Sequence, residues 1–171
     1  SFRVLLPLVR GNTDMPTEIK EYKNVPDAGV DNQVTAPYLR DAKSTILVVE
    51  DNADMRKYIC SILSDQYKIL EAENGEEALH LLKSRTIDFV VSDLMMPVMD
   101  GMELSKQVKS DFAISHIPFL MLTAKSNVET RISSYKSGVD EFLAKPFDAD
   151  LLLARITNML EARRNYQRKF S

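Results

Sequence analysis

The sequence contains a single cysteine and no long apolar run. Cys60 cannot form an internal disulfide, so nothing in the composition points to an oxidising compartment. No apolar run approaches the roughly 20 residues that a membrane-spanning helix needs. The chain begins at Ser1 without the charged leader and apolar segment of a signal peptide, and we expect it to be part of a longer chain. The sequence contains no internal repeat.

Charge is unevenly distributed along the 171 residues, although the net charge is only −3. Residues 1–43 hold six basic and six acidic residues, and residues 44–154 hold 11 basic and 18 acidic residues. Residues 155–171 hold five basic residues and one acidic residue. The acidic middle argues against nucleic-acid binding by that part of the chain. A composition of 44% hydrophobic and 27% charged residues is typical of globular proteins.

Two segments precede the regularly patterned part of the chain. Apolar residues alternate along SFRVLLPL, within residues 1–9, and this alternation predicts a β-strand. Residues 10–43 contain three prolines and balanced charge without hydrophobic periodicity. We therefore predict that residues 10–43 form a linker.

From residue 44 onward, five apolar runs alternate with five amphipathic segments. The apolar runs lie within STILVVED, YKILEA, TIDFVVSD, IPFLMLTA and DEFLAKPF. Three helical segments begin with an N-cap residue and a glutamate three positions later: Asn74 and Glu77, Asp100 and Glu103, and Ser126 and Glu129. Strands that alternate with helices predict an α/β fold, a doubly wound, five-stranded parallel sheet covered on both faces. The last helical segment stays amphipathic as far as Tyr166, so we expect it to extend past the domain.

Polar residues follow the ends of four predicted strands. They are Glu50 and Asp51 after the first strand, Asp93 after the third, Thr123 after the fourth and Lys145 after the fifth. Ligands bind at the carboxyl ends of the strands in such sheets. Three carboxylates at one edge would raise a pKa or hold a hard cation such as Mg²⁺. A hydroxyl and an ammonium beside them suit phosphoryl oxygens, and Asp93 can act as a nucleophile toward phosphorus.

These residues lie in four motifs that together resemble the receiver domain of bacterial response regulators. The motifs are VVED with Glu50 and Asp51, SDLMMPVMDG with Asp93, LTA with Thr123, and AKPF with Lys145. Their separations are also those of the family: 42 residues from Asp51 to Asp93, 30 to Thr123 and 22 to Lys145. The resemblance extends from residue 44 to about residue 160. It implies a flavodoxin-like receiver fold with the strand order 2-1-3-4-5.

The resemblance also implies roles for the site residues. Asp93 would accept a phosphoryl group from the phosphohistidine of a histidine kinase, with Mg²⁺ or Mn²⁺ as cofactor. The implied metal ligands are Glu50, Asp51, Asp93 and the backbone carbonyl of Met95. The implied phosphate-binding groups are Thr123, the backbone amide of Ala124, and Lys145, whose peptide bond to Pro146 is expected to be cis. From the position of Asp93 before a loop, we expect this side chain to be open to solvent.

A switch is implied as well. Thr123 would move toward the phosphoryl group, and Phe142 would turn into the space it leaves. Many family members have tyrosine at the position of Phe142, so we expect signalling by rotation of the ring without a hydroxyl. The surface formed by the fourth helix, the fifth strand and the fifth helix would change, and a homodimer would form through it. Beyond self-catalysed phosphorylation and dephosphorylation of the aspartate, we expect no enzyme activity from residues 1–171.

The first eight residues resemble the last strand of the ATP-binding domain of histidine kinases, which suggests a hybrid sensor kinase as the parent. The kinase's own histidine box and ATP-binding motifs are absent from the sequence. We expect a kinase strand at residues 1–9, a linker at 10–43, a receiver at 44–160 and a helical connector at 161–171. The receiver is expected to be cytoplasmic, in a parent that can be anchored in the bacterial inner membrane. An AraC-type DNA-binding domain is the expected output after Ser171, and DNA contact is expected through that domain alone.

Three other functions fit the sequence less well. A haloacid-dehalogenase-like phosphatase also uses an aspartate at a strand end, but it needs a second aspartate two residues later, where this chain has Met95. A receiver that acts as a phosphate-independent interaction domain would not need the acid pair, Thr123 and Lys145. A dinucleotide-binding domain is disfavoured because no glycine-rich fingerprint follows the first strand.

Overall fold

The computed structural model describes residues 42–124 and 138–170 of the chain. The chain divides into two units, Ser1–Ala42 and Lys43–Ser171, and every described residue except Ala42 belongs to the second. The strand predicted within residues 1–9 and most of the predicted linker lie outside the described residues. So does the helix predicted to begin at Ser126, apart from its expected end at Gly138.

The described residues contain five strands, all parallel, in one sheet. The strands are β1 (Thr45–Val49), β2 (Lys68–Ala72), β3 (Phe89–Asp93), β4 (Phe119–Thr123) and β5 (Glu141–Ala144). Their order across the sheet is β2-β1-β3-β4-β5, which confirms the predicted doubly wound topology. The central position of β1 and β3 brings their carboxyl ends together, with Val49 opposite Ser92.

Four helices are described, and they cover both faces of the sheet. They are α1 (Ala53–Leu63), α2 (Gly75–Ser84), α3 (Gly101–Ser110) and α4 (Ala149–Phe170). The first three begin at N-cap residues whose side chains accept a hydrogen bond from a backbone amide three residues later. The caps are Asn52, Asn74 and Asp100, and the last two confirm the predicted helix starts.

The core consists of two apolar clusters, one on each face of the sheet. Successive residues of β1 point to opposite faces, so Leu47 packs with α2 and α3 while Ile46 packs with α1 and α4. Every residue of β3 and β4 is buried. Burial on both faces explains why these strands are continuous apolar runs. Each fully buried aliphatic side chain contributes about 1.5–3 kcal/mol to the free energy of unfolding.

The last helix confirms the prediction of a long amphipathic segment. Leu152 and Ile156 are fully buried against the sheet, whereas Tyr166 is 66% exposed. Beyond the core, Arg163 donates to the carbonyl of Asp88 at 3.3 Å, and Arg164 donates to the hydroxyl of Ser44 at 2.7 Å. These bonds attach the end of α4 to the edge of the sheet at which β1 and β3 begin. Within the described ranges, no helix has both the length and the apolar character needed to cross a membrane.

Candidate functional site

The loop after β1 carries two acidic residues of different exposure. Glu50 is 2% exposed and Asp51 is exposed. One carboxylate oxygen of Glu50 accepts a hydrogen bond from the backbone amide of Asn52 at 3.2 Å. The backbone of Glu50 is held on both sides, because its amide donates to Ala72 at 3.1 Å and its carbonyl accepts from Arg56 at 2.7 Å. The loop therefore leaves β1 in a defined direction.

Asp93 ends β3 and lies next to this loop. Its backbone carbonyl accepts a hydrogen bond from the buried hydroxyl of Ser92 at 2.9 Å. A Cβ atom placed on Gly101 would clash with the same carbonyl oxygen, so a glycine is needed where α3 begins. Asp93 is 8% exposed, which is less than expected from its position before a loop. The reason is tertiary, because the side chain of the residue after β5 contacts it.

That side chain is Lys145, which joins the two strand ends. Its ammonium lies 2.8 Å from Oε2 of Glu50 and 3.0 Å from Oδ1 of Asp93. Its backbone amide donates to the carbonyl of Thr123 at 2.7 Å, and its peptide bond to Pro146 is cis. Residues that are 95 positions apart in sequence are thus in direct contact.

Three carboxylates share the site with this ammonium. Glu50, Asp51 and Asp93 each offer an oxygen, and these oxygens lie within 4.8 Å of one another. Burial raises the pKa of Glu50, the bond from Lys145 opposes that effect, and the charge of Asp93 adds to it. Burial alone would lower the pKa of Lys145, but its hydrogen bonds to Glu50 and Asp93 hold it above its usual value. The single ammonium of Lys145 cannot neutralise three carboxylates. The remaining negative charge and the clustered oxygens fit a hard divalent cation such as Mg²⁺.

The remaining predicted site residues lie around this cluster. Thr123 ends β4 and is 3% exposed, and Ala124 follows it at the surface. Met95 lies two residues beyond Asp93 with 72% of its surface exposed. Phe142 is on β5, half-buried against the apolar cluster that α2 and α3 cover. Their roles toward a phosphoryl group stay predictions.

An open cavity lies beside Lys145. Its volume is about 510 Å³, and α1 and the loop after β1 form much of its wall. The lining residues are Glu50, Asn52, Asp54, Met55, Tyr58 and Lys145. The ring of Tyr58 stacks on Phe147 with 6.3 Å between the centroids, which fixes one side of the opening. The cavity therefore opens beside Glu50 and Lys145 on the side of α1.

Two residues that contact the loop after β1 were not predicted from the sequence. Asn52 caps α1, and an asparagine directly before a helical segment was the available signal. Arg56 lies within α1 and reaches the carbonyl of Glu50, and no local pattern distinguishes it from other surface arginines. Its ion pairs are with Glu71 and Glu73, which come after α1 in the sequence, so they form only when β2 packs beside the helix.

The sequence model of the response regulator receiver domain matches residues 46–157. The chain belongs to this family. The matched residues include Lys145 and the acidic cluster of Glu50, Asp51 and Asp93. Phosphorylation of an aspartate with the help of Mg²⁺ is a general property of receiver domains in two-component systems. Receiver domains as a family are not enzymes in the ordinary sense.

Curated relatives include two histidine kinases. Histidine kinase P4 of Formosa agariphila is 38% identical over 182 aligned residues, which cover 99% of this chain and 13% of that protein. Sensor histidine kinase TmoS of Ectopseudomonas mendocina is 37% identical over 136 residues, covering 80% of this chain and 14% of that protein. The chain thus spans less than a sixth of the length of either relative.

Solved structures show the same fold. The signal receiver domain of a signal transduction histidine kinase from Syntrophus aciditrophicus is 30% identical, with a TM-score of 0.66, over 70% of this chain and 91% of that one. The chemotaxis response regulator CheY4 of Vibrio cholerae is also 30% identical, with a TM-score of 0.65, over 68% of this chain and 98% of that one. Both similarities support the receiver fold that the strand order indicates.

Proposed function

We propose that Asp93 is the phosphoacceptor of this receiver domain and that a phosphohistidine of a histidine kinase is its donor. The observation that carries the proposal is the contact of Asp93 with Lys145 at 3.0 Å, inside a cluster of three carboxylates. Asp93 ends the central strand β3, and the hydroxyl of Ser92 and the close approach of Gly101 hold its backbone. A fixed carboxylate oxygen is what in-line attack on phosphorus requires.

Charge neutralisation supports the same assignment. Phosphoryl transfer depends more on positioning and electrostatic stabilisation than on covalent chemistry. Lys145 already neutralises Asp93 and, in this proposal, moves its ammonium to the oxygens of the arriving phosphoryl group. Glu50, Asp51, Asp93 and the carbonyl of Met95 would hold Mg²⁺. When bound, the ion supplies positive charge against the negative charge of the phosphoryl oxygens.

The proposed conformational switch involves residues of β4 and β5. Thr123 and the amide of Ala124 would bind phosphoryl oxygens, and Phe142 would respond to the movement of Thr123. Thr123 lies opposite Ala144, two residues beyond Phe142 in the neighbouring strand, so Thr123 and Phe142 lie on the same face of the sheet. The surface changed in this way would include β5 and α4. The helix predicted over residues 126–137 is its proposed third element and lies outside the described residues.

Labelling by acetyl phosphate tests the acceptor. Asp93→Asn keeps the shape of the side chain and removes the nucleophilic oxygen, so labelling is expected to fall to background. Asp111→Asn is the control, because this aspartate lies at the far end of α3, and it should be labelled at the wild-type rate. Mass spectrometry of the wild type should locate the phosphoryl group at Asp93. Labelling of Asp93→Asn at the rate of the control would overturn the proposal.

We also infer that the parent is a hybrid histidine kinase. The alignment with Histidine kinase P4 covers 99% of this chain, so it includes nearly all of residues 1–43. That extent supports a kinase strand at residues 1–9, a linker at 10–43, the receiver at 44–160 and a connector at 161–171. A homodimer through the switch surface and an AraC-type DNA-binding output beyond Ser171 belong to the same proposal. Phosphotransfer from the parent's kinase domain to Asp93 in the full-length protein is the direct test.

A further inference from the structure

Arg56 makes three hydrogen bonds although it lies one turn into a surface helix. Its Nη1 donates to the backbone carbonyl of Glu50 at 2.7 Å. Its Nε donates to Glu71 at 3.2 Å and its Nη2 donates to Glu73 at 3.2 Å. The side chain is 13% exposed and its bond to Glu50 is partly buried, whereas the carboxylates of Glu71 and Glu73 are exposed. A guanidinium is suited to this geometry because its donors form a rigid planar fork.

The carbonyl that Arg56 binds belongs to the peptide unit between Glu50 and Asp51. The orientation of this peptide determines where both carboxylates leave the backbone. Its rotation is restricted on the other side of Glu50, where the amide donates to Ala72 at 3.1 Å. Arg56 therefore restricts the orientation of the peptide that carries the two acids.

The charge of Arg56 is already matched within its own contacts. Glu71 and Glu73 pair with the guanidinium from β2 and from the residue after it. Arg56 is thus not a spare cation for the acidic cluster, unlike Lys145, which touches the cluster directly. The guanidinium therefore controls the position of the loop and not the electrostatic potential at the acidic cluster.

We propose that Arg56 is a positioning residue, which holds the Glu50–Asp51 peptide so that the three acidic oxygens are preorganised for Mg²⁺. The proposal rests on the proposed function, since it concerns the same metal site. It adds a residue that touches neither the metal nor the phosphoryl group. Arg56 links the site to β2 at the edge of the sheet, and its removal loosens the loop without removing a ligand.

Loss of this support is expected to weaken Mg²⁺ binding. Removing residues that orient metal ligands commonly lowers metal affinity by about tenfold or more. Arg56→Gln keeps a polar side chain but cannot reach all three partners, so we expect the dissociation constant for Mg²⁺ to rise about tenfold. Arg56→Lys keeps the charge without the planar fork, and we expect an intermediate loss.

The measurement is an NMR titration of backbone amides with Mg²⁺ in the wild type and the variants. Arg155→Gln is the matched control, because Arg155 also bonds a strand carboxylate, Glu141, at 3.0 Å and a backbone carbonyl, that of Phe142, at 3.0 Å. This control should bind Mg²⁺ within about twofold of the wild type, because the partners of Arg155 lie on β5 and not in the loop after β1. Thermal unfolding of each variant reports whether the fold is kept.

The outcomes separate the two proposals. Equal Mg²⁺ affinity of folded Arg56→Gln and Arg155→Gln would overturn the positioning role and leave the proposed function intact. If Arg56→Gln does not fold, Arg56→Lys decides, and wild-type affinity in that variant would overturn the role. A wild type whose Asp51 and Asp93 amides do not respond to Mg²⁺ would overturn the metal site and the positioning role together.

Discussion

At the scale of single residues, the site is a balance between carboxylates and one ammonium. Lys145 is 18% exposed at its side chain and contacts both Glu50 and Asp93. Removing one partner of a buried ion pair leaves the other charge uncompensated. In the proposed function, stability and chemistry would therefore depend on the same side chain, which would leave its partners when a phosphoryl group arrives.

Replacing Lys145 by Met should destabilise the domain in the absence of metal. We expect a loss of about 2 kcal/mol in the free energy of unfolding, below the roughly 3–5 kcal/mol of a fully buried pair, because a carboxylate can take up a proton. Urea unfolding with a chelator at neutral pH measures the loss. Lys83→Met is the control, since Lys83 is 56% exposed and 3.8 Å from Asp111. Equal losses in both variants would show that the contacts of Lys145 with Glu50 and Asp93 do not stabilise the domain.

Cys60 should react slowly with alkylating reagents. Burial raises the pKa of its thiol to about 11, with the neighbouring Glu71 adding to the effect and Arg56 opposing it. The thiolate should be on the order of a hundredfold less populated at pH 8 than in an ordinary cysteine. Iodoacetamide labelling should accelerate continuously from pH 8 to pH 10, and unfolded protein should react fast. A rate that levels off near pH 9 in the folded protein would show an unperturbed thiol.

At the scale of elements, the loop between β3 and α3 combines an unusual backbone with a fixed position. Val98 has a φ of 70°, and the amide of Met99 donates to the carbonyl of Pro97 at 2.7 Å, which closes a γ-turn. The carbonyl of Met99 in turn accepts from the amide of Gly75 at 3.0 Å. The loop after Asp93 is therefore attached to the first residue of α2.

Val98→Gly should stabilise the domain. A β-branched residue with positive φ is strained, and Val98 is 76% exposed, so little apolar burial is lost. Relief of this strain should exceed the entropy that glycine adds to the unfolded chain, with a net gain of about 1 kcal/mol. Urea unfolding compares Val98→Gly with Val98→Ala, which keeps the Cβ atom. A glycine variant less stable than the alanine variant would show that the turn is unstrained.

At the scale of the whole molecule, the described residues of the receiver unit form two apolar clusters, one on each face of the sheet. Both apolar clusters are built from residues 46–160. The end of α4 and the beginning of the unit are bonded to each other, since Arg164 donates to Ser44. The last helix is thus attached close to the start of β1.

A variant lacking residues 1–41 should fold on its own. We expect its melting temperature to stay within about 3 °C of the full chain, because no described core residue is removed. A variant lacking residues 161–171 should lose more, since it loses the bonds of Arg163 to Asp88 and of Arg164 to Ser44. Calorimetry of the two variants is the comparison. A large loss from the first deletion would show that residues 1–41 support the receiver unit.

The sequence by itself determined the order of the described elements and brought Glu50, Asp93 and Lys145 to one edge of the sheet. Continuous apolar runs separated by amphipathic segments depend on local periodicity, and the caps at Asn74 and Asp100 involve bonds three residues away. Parallel strands bring their carboxyl ends to one edge whatever the distance in sequence. Glu50, Asp93 and Lys145 could therefore be assigned to one site before any distance was known.

Only the tertiary structure decided how those residues touch. The ammonium of Lys145 bridging two carboxylates, the burial of Asp93 and the reach of Arg56 to the carbonyl of Glu50 all depend on how elements pack. A one-dimensional pattern contains the direction of a strand but not the distance from a side chain on one element to the backbone of another. That distance depends on the packed core, in which α1 and β5 approach the ends of β1 and β3 closely enough for hydrogen bonds.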